Sequence, residues 1–126
     1  MSQIYLFQLA SQQSKWLTAR QTLVADNIAN ANTPGFRARE IQPFSEILDQ
    51  TPLTMATTNP AHIAPPEQEL TEGARVAESD GWATSVSGNS VSLEQELMKE
   101  GDINRSYTMN TNIKRAFHQM MLSALK

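Results

Sequence analysis

Three groups of side chains in this 126-residue chain have types and spacings that could support chemistry. Glu94, Glu96 and Glu100 stand beside Lys99. Two carboxylates divide general-acid and general-base roles only where a cleft raises the pKa of one of them. The sequence here predicts instead a solvated first helical turn whose charge complements the helix dipole. His62 and His118 have no neighbour at metal-ligand spacing and read as surface or packing histidines. The third group is the amide-rich segment DNIANANTPGFRARE, residues 26–40, with Asn27, Asn30 and Asn32. Most helices stop on one glycine or asparagine. The extra amides therefore need either a local backbone role, as an elaborate cap, or a partner outside the helix.

No Gly-rich phosphate loop, nucleophile elbow or Ser/His/Asp set can be assembled from the sequence, so no enzyme, cofactor, metal or small-molecule substrate is expected. The absence of cysteine excludes disulfides, thiolate ligands and thiol nucleophiles. Asn104-Arg105-Ser106 has the form of a glycosylation acceptor but falls inside a predicted helix. A net charge of −3, with no basic block beyond Arg37 and Arg39, leaves no footprint for nucleic acid. An apolar content of 40%, aromatics at 6% and six methionines suit adaptable surfaces better than a dense interior. The start, MSQIYLFQLASQQSKW, lacks the basic and apolar regions of a secretory signal, and no run approaches a membrane span.

The elements that must carry these residues are two long helices. From Ile4 to Ala31 two adjacent rows repeat every seven residues, Leu9, Trp16, Leu23, Asn30 and Ala10, Leu17, Val24, Ala31, with Leu6 and Ile28 on the same face. Thr33 precedes a proline and Pro34-Gly35 suits the centre of a type II turn, so the helix stops near Asn32. A short amphipathic piece runs from Phe44 to Leu48. Residues 51–88, rich in proline, glycine, serine and threonine, read as loop with room for a short strand pair. A second helix starts at a capping box, Ser92 to Gln95, and runs to the chain end. Its stripe is Ile103, Tyr107, Asn110, Ile113, Phe117, Met121 and Ala124, and Gly101-Asp102 is a point of weakness or bending.

The expected fold is mainly α: helices 1–32 and 92–126 pack as a coiled-coil-like pair forming one domain, with an irregular middle at 33–91. Each helix carries an asparagine in an otherwise apolar seam, and a buried amide needs a partner. Two amphipathic helices bury too little apolar surface to offset the entropy of ordering them, so neighbouring copies or other subunits are expected to complete the burial.

The segment Asn27, Ile28, Ala29, Asn30, Asn32, Thr33, Pro34, Gly35, Phe36 resembles the axial proteins of the bacterial flagellum, the rod and hook family. There an asparagine-rich helix end is closed by a Thr-Pro-Gly-aromatic turn. Arg37-Ala38-Arg39-Glu40-Ile41, Thr57-Thr58-Asn59-Pro60-Ala61-His62-Ile63 and the stretch from Gly88-Asn89-Ser90-Val91 to Leu125 are most similar to its proximal-rod subunits. The resemblance implies a non-enzymatic basal-body subunit, exported through the flagellar type III apparatus without a cleaved signal peptide and polymerised in the periplasm. Its implied partners are other copies, other rod proteins, and the adaptor at the base that joins rod, membrane ring and export gate.

On this view the subunit interface comprises Leu9, Trp16, Leu23, Asn27, Asn30, Asn32, Pro34, Gly35, Phe36, Arg37, Arg39, Tyr107, Asn110, Ile113, Phe117 and Met121. Asn27 and Asn30 are expected to bond a neighbouring subunit or loop. Arg37 and Arg39 either meet carboxylates of an adjacent subunit or form a solvated pair. A helical adaptor or export chaperone, docking through one amphipathic face, is the alternative.

Overall fold

The computed structural model describes residues 2–49, 75–79 and 81–125. Residues 57–63, with His62, lie outside them. Helix α1 spans Ser2–Ala29, strand β1 Arg39–Ile41, helix α2 Phe44–Asp49, strand β2 Val76–Glu78 and helix α3 Leu93–Ala124. The fold is mainly helical, as the periodicity predicts.

Helices α1 and α3 run antiparallel. Phe7 meets Phe117 edge to face at 5.3 Å, Asn110 reaches the Ala10 carbonyl, and Asn27 reaches Glu96 at the far end. On α1 the buried row is Ala10, Leu17 and Val24; on α3 it is Glu96, Ile103 and Asn110. Both rows repeat every seven residues, the spacing that keeps a seam facing its partner along a left-handed supercoil. The adjoining row Leu9, Trp16, Leu23 is half-buried. It turns towards the outgoing chain, where Trp16 packs on Phe44 at 5.9 Å and its indole N–H donates to the Gln42 carbonyl.

Ile28, placed on the buried face by the sequence, is exposed. At that level the seam is occupied by Asn27, and the next residue is rotated about 100° away from it. Gly101 and Asp102 do not interrupt α3, which is one continuous helix. Of the capping box at its start, the structure shows the Ser92 half, Ser92 Oγ accepting from the Gln95 amide at 3.4 Å.

β1 and β2 form an antiparallel pair with Arg39 opposite Glu78 and Ile41 opposite Val76. Ser79 N donates to the Ala38 carbonyl and Gln42 N to the Arg75 carbonyl. Because ladder bonds alternate along an antiparallel strand, the peptide groups of Arg39 point to the opposite edge of β1, towards α1. No helix among the described residues is long and apolar enough to cross a membrane.

The shared hydrophobic core is small: Leu17, Val24 and Ile103, with Trp16 against it. In contrast, α3 exposes Leu97 at 64%, Met98 at 60% and Met120 at 59%, and Leu125, just past its end, is exposed at 83%. Exposed apolar side chains in this number, distributed along and around one helix, mark surface that other molecules cover.

Candidate functional site

The amide-rich helix end and the turn after it carry a dense set of hydrogen bonds. The last turn of α1 tightens, with Asn30 N shared between the Asp26 and Asn27 carbonyls and Ala31 N donating to Ile28. The helix therefore ends at Ala29, slightly before Asn32. Phe36 N donates to the Thr33 carbonyl at 3.2 Å, closing the Pro34-Gly35 turn, and Gly35 has φ +72, the left-handed value that a type II turn requires at this position.

Each asparagine in the segment has a different role. Asn27 is fully buried; its Nδ2 donates to the Arg39 carbonyl at 2.8 Å and to Glu96 at 3.2 Å, and its Oδ1 accepts from the Arg39 amide at 3.0 Å. Its carboxamide thus pairs with the free edge of β1 as a neighbouring strand would. Asn30 folds back on its own helix, donating to the Asp26 carbonyl at 2.8 Å, while Asn32 is exposed.

The carbonyls left open at the end of α1 are closed from a distance. Asn89 Nδ2 lies 2.8 Å from the Asn30 carbonyl, 3.0 Å from that of Ala31 and 2.8 Å from that of Thr33. Ser90 extends the clasp, donating its amide to Phe36 and accepting the Ala38 amide at its Oγ at 2.8 Å. Both residues are buried. Gly81 permits the close approach, because a Cβ there would fall 2.0 Å from the Ser90 carbonyl oxygen. Asn89→Ala is expected to destabilise the fold by about 2 kcal/mol, since it strands helix-end carbonyls away from water. The measurable signs are a lower denaturant midpoint and faster hydrogen exchange at residues 30–36.

Charges tie the same region together. Glu40 accepts a two-pronged bond from Arg20 at 3.1 and 3.2 Å, and Lys99 bridges Glu40 at 3.2 Å and Glu96 at 3.0 Å. Arg20 also lies over the Trp16 ring at 5.6 Å. Glu96 is 1% exposed, which corrects the reading of it as part of a solvated turn: it sits on the row of Ile103 and Asn110 and so must face α1. Glu94 does belong to the solvated turn, and a backbone hydrogen bond and the Ser92 hydroxyl hold its carboxyl below the ordinary value.

Burial alone would raise the Glu40 carboxyl, but hydrogen bonds and charge from Arg20, with the charge of Lys99, more than offset this and hold it below the usual glutamate value. The unfolded chain therefore takes up this proton first on acidification. The Glu40 contribution is complete above the ordinary glutamate range and is lost as pH falls through the lower folded value. Glu40→Gln should flatten the acid limb of a stability-versus-pH curve relative to the wild type, as denaturant titrations at stepped pH would show.

The structure separates the sequence-derived interface residues into three sets. Asn27 and Asn110 are buried, Asn110 donating to the Ala10 carbonyl at 2.9 Å and to Ser14 at 2.8 Å. Leu9, Trp16, Leu23, Asn30, Phe36, Phe117 and Met121 are half-buried. Asn32, Pro34, Gly35, Arg37, Arg39, Tyr107 and Ile113 are exposed, although Arg39 is paired with Asp26 of its own chain. Sequence reasoning missed Asn89, Ser90, Arg20 and Glu40 as members of the site and placed Lys99 and Glu96 in a solvated turn. The Gly88-Asn89-Ser90-Val91 motif and the place of Glu96 seven residues before Ile103 were the available signals.

Among the described residues no cluster of metal-ligating side chains occurs. A shallow groove between α1 and α3 is lined by Leu17, Gln21, Ile103 and Tyr107.

Comparison with known proteins places this geometry in context. Residues 17–37, from mid α1 through the turn, match the family model described as flagella basal body rod protein. The flagellar basal body rod protein FlgB of Agrobacterium fabrum is 44% identical, across 100% of this chain and 96% of that protein. FlgB of Escherichia coli is 32% identical and FlgB of Salmonella typhimurium 26%, each over 85% of this chain and 83% of the relative.

Proposed function

The chain belongs to the flagellar basal body rod protein family, and on that premise we propose that it is a structural, non-enzymatic subunit of the proximal rod, polymerising with other copies and other rod proteins. In this assignment residues 1–32 and 92–126 form the axial part of the subunit and 33–91 the part that turns outward. The assembled rod is the drive shaft and encloses the export channel. Its further partner is the adaptor at the base that joins rod, membrane ring and export gate. The chain reaches the periplasm through the flagellar export apparatus.

The observation that carries this function is the contrast within one molecule. The junction at Asn27 is fully satisfied internally, whereas α3 leaves apolar side chains exposed around it, among them Leu97, Met98, Tyr107, Ile113 and Met120. A satisfied junction fixes the angle at which chain leaves the helix pair; an uncovered helix face needs neighbours. The exposed residues Asn32, Pro34, Gly35, Arg37, Tyr107 and Ile113, with the half-buried flanks Leu9, Trp16, Leu23, Asn30, Phe36, Phe117 and Met121, supply those contacts. Asn27, Asn110 and Arg39 act on the interface through the subunit's shape.

An epitope-tagged chain in its own bacterium tests this function. The tag should co-purify with detergent-extracted basal bodies, and deletion of the gene should abolish motility. Recovery of the tag only in a small soluble complex, absent from basal bodies, would contradict the assignment and favour the adaptor or chaperone reading.

A further inference from the structure

Charge along α3 is segregated. From Leu93 to Asp102 the helix holds Glu94, Glu96, Glu100 and Asp102 against Lys99 alone; beyond Asp102 no acidic residue follows, while Arg105, Lys114, Arg115 and Lys126 do. The helix dipole favours acidic side chains in a first turn and basic ones in a last turn, and its influence fades within that turn. Asp102 and Arg115 lie well inside both ends of α3, so the dipole does not account for the pattern.

Counted in sevens, Glu94, Gly101, Thr108, Arg115 and Leu122 form one exposed row. It lies on the far side of α3 from the seam of Glu96, Ile103 and Asn110. None of the ion pairs among the described residues involves Glu94 or Arg115. At Gly101 a Cβ would meet nothing within 4 Å, leaving a shallow hollow open to the outside.

We propose that α3 of one copy overlaps α3 of a second copy, parallel and displaced by three heptads, so that Arg115 of one meets Glu94 of the other and Leu122 settles over Gly101. At 1.5 Å per residue the displacement is about 32 Å. In this register residues 114–125 of one copy lie along residues 93–104 of the other, so that Leu122, an exposed apolar side chain that the helix pair leaves open, is covered by the second copy. The two ends of the helix contribute different residues, so the contact is heterologous and repeats from copy to copy, as an extended assembly requires. An antiparallel pairing satisfies the same charges but closes into a dimer. The proposal rests on the assignment of the chain as a rod subunit and adds the register of one contact.

The chain has no cysteine, so a Glu94→Cys/Arg115→Cys variant carries only the introduced thiols. Oxidised at concentrations where the wild type associates, it should give a ladder of disulfide-linked oligomers. Because this variant removes both charges, charge reversal provides the second arm. Arg115→Glu should weaken association at low salt about tenfold or more, and Glu94→Arg/Arg115→Glu should restore it. Linked dimers alone would overturn the stagger in favour of antiparallel pairing. No linked species, together with indifference to charge reversal in a chain that still associates, would overturn the contact while the rod assignment stands. A wild type that never associates, and is absent from basal bodies, would remove both.

Discussion

Asn27→Leu is expected to destabilise the folded chain by about 4 kcal/mol, as it strands the Arg39 amide, the Arg39 carbonyl and one oxygen of Glu96, each at a cost of roughly 1–3 kcal/mol. Those groups are held by a single carboxamide at 2.8, 3.0 and 3.2 Å. Leucine has similar volume but no polar atom. A loss of this size is comparable to the whole stability of a small domain, so the variant should unfold at much lower denaturant, with the Arg39 amide losing hydrogen-exchange protection first. Asn32→Leu, the same exchange at an exposed position, should stay within about 0.5 kcal/mol of wild type. Equal effects at the two sites would mean that the asparagines act through composition rather than through this geometry.

The second large effect is expected at Lys99. Lys99→Met removes the cation shared by Glu40 and Glu96 and leaves the Glu96 carboxylate, 1% exposed, with Asn27 as its remaining partner. Breaking a buried pair from one side costs about 3–5 kcal/mol, because the surviving charge is uncompensated. Glu96→Gln added to Lys99→Met should recover most of that loss, since glutamine keeps an oxygen for Asn27 and removes the charge. Matched denaturant titrations of the single and double variants give the comparison. A double variant no better than the single one would show that Lys99 stabilises by packing its aliphatic stem.

Several features of the fold were legible in the residues themselves. Seven-residue rows on the first helix and a stripe spaced by threes and fours on the second announced their pairing, Pro34-Gly35 announced the turn, and Ser92 the start of α3. Each is a local rule or a period, and such rules need no knowledge of what lies across space. The asparagine-rich segment was legible as a problem but only half as a solution. The sequence asked for partners for Asn27 and Asn30, and the structure supplies them within the chain, from β1 and from the helix's own last turn.

Glu96 could not be placed by residue type, since a glutamate in a first turn has a sufficient explanation in the dipole. Only its phase against Ile103 and Asn110 locates it in the seam. Asn89 is further from reach. Its function is to close carbonyls nearly 60 residues away in the chain, and no local pattern specifies which helix end a distant amide will cap. The need for neighbours was visible as a deficit: two amphipathic helices bury too little apolar surface to offset the entropy of ordering them.

That deficit is the centre of the account, and sedimentation combined with far-ultraviolet circular dichroism across a dilution series tests it most directly. Helix content should be low in the dilute monomer and rise in step with association as copies cover one another's α3 surface, so the stability differences between variants are read at concentrations where the chain is associated. A dilute monomer with full helix content, a sharp unfolding transition and both terminal helices protected from hydrogen exchange would contradict it.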